Sequence, residues 1–81
     1  MTNSDMKAGR FARWSAARRK VAWIQAQLAA GRIVQITTYT KATRYTAKHA
    51  DWFRASKFGA LVKHGREWVC FDGAKISAFQ S

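Results

Sequence analysis

A single apolar stripe within the first thirty residues constrains the fold of this chain more than any other feature. Its members recur at steps of three and four residues, which is the spacing of one face of an α-helix: Trp14, Ala17, Val21, Ile24 and Leu28. Ser4 or Asp5 can cap the start of this helix, and Gly31 can end it after Ala30. Because a helix that is apolar on one side needs a cover for that side, the sequence predicts a second layer.

The segment that follows the helix begins with a run of β-branched and aromatic residues. Residues 33–40 have the sequence IVQITTYT, which is typical of a strand. Two alternatives stay open for residues 41–52. A hairpin can turn at residues 41–42, although neither is a favoured turn residue, and residues 46–52 can form one or two helical turns.

Two glycine pairs divide the C-terminal third of the chain. His64-Gly65 and Asp72-Gly73 each separate two strand-like runs, and such pairs supply the backbone angles of two-residue hairpin turns. They predict a C-terminal meander with strands at residues 58–63, 66–71 and 74–79. The predicted fold class is therefore α+β, with one long N-terminal helix packed on an antiparallel sheet of three to five strands.

Alternation of side chains along the strands assigns the two faces of this meander. The two turns pair Leu61 with Trp68 and Val69 with Ile76. The apolar side chains then gather on one face, which we expect the helix stripe to cover. This predicted core face contains Phe58, Ala60, Val62, Val69, Phe71, Ile76 and Ala78.

Charge is the most unusual property of the composition. Fifteen Lys and Arg residues against four Asp and Glu give a net charge of +11, and the basic residues are spread along the chain rather than gathered in a tail. So many like charges repel one another, and together they attract polyanions such as nucleic acid. A solvated basic surface without a specific partner is the alternative interpretation.

The face of the meander opposite the core is the main candidate for a binding site. It combines Trp68 with Lys63, Arg66 and Lys75, so that a flat ring can stack on bases while the cations contact phosphates. The alternative is a tryptophan that is merely shielded by the alkyl parts of its basic neighbours.

Two further groups of residues are secondary candidates for the same partner. Lys41, Arg44 and Lys48 alternate with threonines, and this mixture suits phosphate contacts as well as an exposed strand surface. Arg19 and Trp23 lie on the helix face opposite the apolar stripe. Trp23 is interpreted either as a stacking or anchor residue, or as part of a second packing layer or a dimer contact.

No pattern in the sequence indicates catalysis, a metal site or a cofactor. In the predicted register Cys70 lies too far from His64 to form a nucleophile–base pair. One cysteine and two histidines make no standard zinc site, and the five glycines are too dispersed for a phosphate loop. We therefore predict that the protein is not an enzyme and that it needs neither metal nor cofactor.

Two segments of the chain resemble a group of small bacteriophage and prophage proteins that has no assigned activity. They are TTYTKATRYTAKHADWF at residues 37–53 and GREWVCFDGAKI at residues 65–76. The resemblance lies in the positions of aromatic, basic and glycine residues, and it carries over no functional residue. It implies a role in the cytoplasm of a bacterial host, with which a single cysteine and the lack of a membrane-length apolar stretch agree.

The leading hypothesis is non-enzymatic binding of DNA or RNA, with little base specificity, through phosphate contacts and aromatic stacking. The alternative is an anti-CRISPR-like inhibitor of a bacterial host enzyme or antiviral defence complex, which would contact a protein or a ribonucleoprotein. Membrane binding is not expected, and a homodimer stays open. Residues 1–4 are expected to be a flexible N-terminus, and residues 5–81 a single domain.

Overall fold

The computed structural model describes the backbone of residues 3–80. Residues 1, 2 and 81 lie outside the description, as do the side chains of residues 3–11 and 13, on which the predicted flexible start and helix cap depend. The described part forms an α+β fold, as predicted. Its elements in chain order are α1 (Asn3–Ala29), β1 (Arg32–Thr37), β2 (Ala42–Tyr45), a 3₁₀ helix (Ala47–Trp52), β3 (Phe53–Ser56), β4 (Gly59–His64), β5 (Glu67–Cys70) and β6 (Lys75–Gln80).

The apolar stripe of α1 is the buried side of the helix, as the periodicity predicts. Its last four members, from Ala17 to Leu28, are buried, and Ile24 and Leu28 are completely so. Trp14, at the start of the stripe, is 41% exposed, and the guanidinium of Arg18 lies 5.3 Å from its ring centroid. The helix ends near the predicted residue because Gly31 takes a φ of 82°, which a glycine adopts readily.

The strands form two three-stranded antiparallel sheets rather than one. The first sheet has the order β2-β1-β6, and the second has the order β3-β4-β5. The helix packs on β1 of the first sheet, on β3 and β4 of the second, and on the 3₁₀ helix. Gln25 strengthens the last of these contacts, because its Nε2 donates a hydrogen bond to the carbonyl of Ala50 at 3.1 Å.

The predicted meander is wrong in its third strand. β6 pairs with β1, with Val34 opposite Ala78 and Ile36 opposite Ile76, and it does not pair with β5. The predicted turn itself is present, since the amide of Ala74 donates to the carbonyl of Phe71 at 3.1 Å. This turn carries the chain from one sheet to the other instead of folding it back along β5.

The hairpin of β4 and β5 is present, but its register differs by two residues from the predicted one. Leu61 lies opposite Cys70, and Lys63 lies opposite Trp68. A shift of two residues leaves every side chain on its predicted face, because strand side chains alternate with a period of two. Two members of the predicted core face are nevertheless open to solvent: Phe58 is 69% exposed and Val69 is 45% exposed.

Both alternatives for residues 41–52 are partly present. β1 and β2 form a hairpin, but the predicted turn at residues 41–42 is wrong, because Ala42 already belongs to β2 and pairs with Thr37. The turn lies at residues 38–41, where the amide of Thr38 donates to the carbonyl of Lys41 at 2.9 Å. The 3₁₀ helix then occupies the predicted helical turns. The core unites the buried residues of α1 with those of both sheets, which are Val34, Ile36, Tyr45, Phe53, Ala60, Val62 and Phe71.

A charge at the centre of the helix stripe is expected to unfold the domain. Ile24→Asp would bury an unpaired carboxylate at a position with no exposure, which should cost more than about 3 kcal/mol. Trp23→Ala is the matched control on the opposite side of the helix, where the ring is 44% exposed. Chemical denaturation followed by circular dichroism measures both. If Trp23→Ala unfolds the protein while Ile24→Asp is tolerated, the orientation of the helix is wrong.

A methyl group at Gly59 is expected to destabilise the fold more than one at Gly65. Gly59 has a φ of 122°, and an added Cβ would overlap the Asp72 carboxylate, whereas Gly65 has a φ of 64° and open space around it. Gly65→Ala should cost about 1–2 kcal/mol from the left-handed backbone alone. Gly59→Ala should cost clearly more in the same denaturation experiment. Equal costs would mean that Asp72 moves aside without loss.

Candidate functional site

The outer face of the second sheet brings an exposed tryptophan together with two cations. Trp68 on β5 is 38% exposed and lies directly opposite Lys63 on β4. The guanidinium of Arg54, on β3, lies 5.2 Å from the centroid of the Trp68 ring, within the range of a cation–π interaction. We call Arg54, Lys63 and Trp68 the tryptophan face.

Only part of the predicted site is assembled on this face. Lys63 and Trp68 are brought together, and Arg66 lies exposed in the turn beside them. Lys75 lies elsewhere, because β6 belongs to the first sheet, where Lys75 is opposite Thr37. The predicted meander had placed Lys75 beside Trp68, and with β6 in the first sheet Lys75 is not part of this face.

Arg54 is the residue that the sequence analysis missed. It belongs to the four-residue strand Phe53–Ser56, whose first residue is buried and whose second is exposed. That short alternation is the signal that could have identified a strand, but it follows directly on the helical turn and spans too few residues to stand out. Once β3 pairs with β4, Arg54 lies opposite Leu61 on the same face as Lys63.

The other predicted residues do not converge on one surface. Arg44 lies on the outer face of the first sheet, where it donates to Gln35 Oε1 at 3.1 Å and lies 5.5 Å from the Phe79 ring centroid. Lys48 is exposed on the 3₁₀ helix. Arg19 and Trp23 are exposed on the helix side opposite the buried stripe. They therefore extend the basic surface without adding to the tryptophan face.

A cleft opens between the inner faces of the two sheets, and we call it the inter-sheet cleft. Its volume is about 440 Å³. Val69, on the edge strand β5 of the second sheet, is 45% exposed and forms part of one wall. Across its rim, Lys41 Nζ lies 3.4 Å from His64 Nε2. The predicted single sheet left no room for such a cleft.

Two polar side chains at or near this cleft, Tyr45 and His49, are held by burial or by contacts within the fold. Burial raises the pKa of the Tyr45 phenol above its usual 10.0, while a hydrogen bond with the Thr43 side chain acts in the opposite direction. The phenol is therefore neutral at physiological pH. His49 Nδ1 accepts a hydrogen bond from the amide of Thr46 at 3.0 Å, and its ring makes edge contacts with Tyr45 and Trp52.

Most of the positive charge on the described surface has no acidic neighbour. Among the side chains that the structure describes, those of residues 12 and 14–80, one ion pair is present, between Lys20 Nζ and Asp72 Oδ1 at 3.5 Å. The same part of the chain contains no group of three or more His, Cys, Asp or Glu side chains placed to share a metal ion. It also contains no helix long and apolar enough to cross a membrane.

Comparison with known proteins adds no family to this description. No family model, curated protein or solved structure matches the chain. The resemblance to phage and prophage proteins therefore stays a prediction, and the candidate sites depend on their own geometry.

Removal of the His49 side chain is expected to destabilise the protein. His49→Ala would lose the hydrogen bond to the Thr46 amide and two aromatic edge contacts, which together should cost about 1–2 kcal/mol. Lys48→Ala, an exposed change on the same 3₁₀ helix, is the control and should change the free energy of unfolding by less than about 0.5 kcal/mol. Thermal denaturation of both variants measures the difference. Equal midpoints would contradict a structural role for His49.

Proposed function

We propose that this protein binds single-stranded nucleic acid without catalysis, through the tryptophan face. The observation that carries the proposal is the exposed Trp68 ring between the cations of Arg54 and Lys63. Stacking of a base on an aromatic ring contributes about 1–3 kcal/mol and tolerates any base, while neighbouring cations hold the phosphates. The interaction would therefore have little sequence specificity.

Arg54 suits this role because a guanidinium can stack on a ring and bind phosphate. Its planar group lies against Trp68 in the free protein. An incoming base would take its place on the ring, and the displaced guanidinium would then meet the phosphate of the same nucleotide. Lys63, directly opposite Trp68 on the neighbouring strand, would contact the next phosphate along the backbone.

The charge of the whole chain supports the same partner. A net charge of +11 with one ion pair in the described part leaves a strong positive field, which accelerates the approach of a polyanion and holds it by counterion release. Exposed cations outside the tryptophan face, such as Arg44 and Lys48, would add binding that is independent of base and position. DNA and RNA satisfy these requirements equally.

A protein partner is the second candidate function. Tryptophan and arginine are enriched among the residues that dominate protein interfaces, and Trp14, Trp23 and Phe58 are further exposed rings. In this alternative the chain would be a phage-type inhibitor of a bacterial host enzyme or antiviral complex. It would act in the bacterial cytoplasm through contact with a protein or a ribonucleoprotein.

Salt dependence and substitution on the tryptophan face test the main proposal. Affinity for a labelled single-stranded oligonucleotide, measured by fluorescence anisotropy between about 50 and 200 mM salt, should fall with a log–log slope of about 0.7 per phosphate contacted. Trp68→Ala should weaken binding by about 1–3 kcal/mol and leave the circular dichroism spectrum unchanged. Lys63→Ala should lower the log–log slope by about 0.7, the contribution of one phosphate contact.

Lys75→Ala is the matched control for the lysine substitution. It removes the same charge from a strand of the first sheet, away from Trp68, and should have a clearly smaller effect than Lys63→Ala. Equal effects of the two lysine substitutions, or a flat salt response, would contradict the proposed face. A pull-down from bacterial lysate tests the inhibitor alternative. That alternative is favoured if a protein partner is still captured after nuclease treatment and is no longer captured by Trp68→Ala.

A further inference from the structure

We propose that the inter-sheet cleft binds a single nucleotide, with its base on the apolar floor and its phosphate at the rim. This site lies on the opposite side of the second sheet from the tryptophan face. Neighbouring residues of β5 belong to the two sites, because Trp68 is on the outer face opposite Lys63 and Val69 is on the inner face opposite Val62. Lys63 of the tryptophan face also contributes to the cleft lining, so Trp68 for the one site and Lys41 and Val69 for the other are the residues that separate the two proposals.

The floor and walls of the cleft suit a flat apolar ring. Ile36, Val62 and Phe71 are buried at its base, and Val69 and Trp52 stand exposed at its sides. A volume of about 440 Å³ lies within the usual range of small-molecule sites, about 300–1,000 Å³. Branched aliphatic and aromatic side chains can enclose a heteroaromatic base from both sides.

The rim supplies groups that recognise an anion. Lys41 Nζ and His64 Nε2 approach within 3.4 Å of each other from opposite sheets. A lysine has three donors and no acceptor, so one lone pair of a neutral histidine satisfies only part of its capacity. A phosphate oxygen placed beside this pair would accept a hydrogen bond from the lysine.

Polar groups next to Lys41 and His64 distinguish a nucleotide from a simple hydrophobic anion. Thr38, Thr40 and Thr43 line the same cleft. The Thr38 hydroxyl already donates to the carbonyl of Lys41 at 3.2 Å, and the Thr43 side chain shares a hydrogen bond with Tyr45, so their remaining lone pairs can accept from a ribose or a base edge. None of the described residues that line the cleft is acidic, so nothing on its surface repels a phosphate. A fatty acid would use the cations and the floor but would leave these hydroxyls unused.

Calorimetric and NMR titrations of the full-length protein test this site with adenosine 5′-monophosphate, adenosine, inorganic phosphate and laurate as probes. We expect adenosine 5′-monophosphate to bind more tightly than adenosine or inorganic phosphate and to shift the amides of Ile36, Thr43 and Val69. Lys41→Ala should weaken the monophosphate about three- to fivefold and leave adenosine unchanged, because it removes one exposed charge contact. Val69→Trp should fill the cleft and reduce binding of both more than tenfold.

Lys57→Ala is the control, because it removes an exposed lysine that lies beside Phe58 outside the cleft lining. It should leave the affinity for the monophosphate within twofold. The proposal is overturned if Lys57→Ala weakens binding as much as Lys41→Ala, if inorganic phosphate binds as tightly as the monophosphate, or if laurate binds more tightly and is the ligand lost with Val69→Trp. Lys41→Ala changes an exposed turn residue and is expected to fold. It therefore tests the cleft even if Val69→Trp does not fold.

The same titrations separate this site from the tryptophan face. Val69→Trp should leave oligonucleotide affinity through Trp68 within twofold, and Trp68→Ala should leave the affinity for the monophosphate within twofold. If mononucleotide binding is absent while oligonucleotides still bind, only the cleft proposal fails. If the oligonucleotide effects are absent while the monophosphate still binds, only the proposal for the tryptophan face fails.

Discussion

The carboxylate of Asp72 connects three parts of the fold that are distant in sequence. Its Oδ1 accepts a hydrogen bond from the amide of Ala60 at 3.1 Å and lies 3.5 Å from Lys20 Nζ of the helix. It also occupies the space that a side chain at Gly59 would need. The turn after β5 is thereby fixed against both the helix and the start of β4. From this position the chain continues into the first sheet, and β6 completes that sheet beside β1.

The sequence predicted the local features of this fold and failed on the long-range ones. The helix stripe, the two glycine turns and the faces of β4 and β5 follow from periods of 3.6 and 2, which neighbouring residues determine. The destination of β6 is set by its pairing with β1, whose residues are remote from it in the chain, and no local pattern contains that information. A turn residue looks the same whether the next strand returns to its own sheet or joins another.

The same distinction explains the outcome at the candidate sites. Trp68 and Lys63 were predicted together because the hairpin that joins them is local, and a register shift of two residues preserved their common face. Arg54 reaches that face through β3, a strand of four residues that the sequence analysis did not assign. The inter-sheet cleft could not be predicted at all, because it is formed by the separation of two sheets.

All four residues of strand β5 are exposed, and both proposed sites include one of them. An edge strand open on both faces leaves apolar surface in water on each side, including a tryptophan and a valine that a small domain would gain stability by burying. β6 pairs with β1 rather than with β5, so β5 remains the edge strand of the second sheet. The structure thus gives up packing at one edge, while the exposed cations Lys63 and Lys41 stand beside the two open faces. Apolar surface flanked by positive charge on each side of this one strand is the feature on which both proposed binding sites depend.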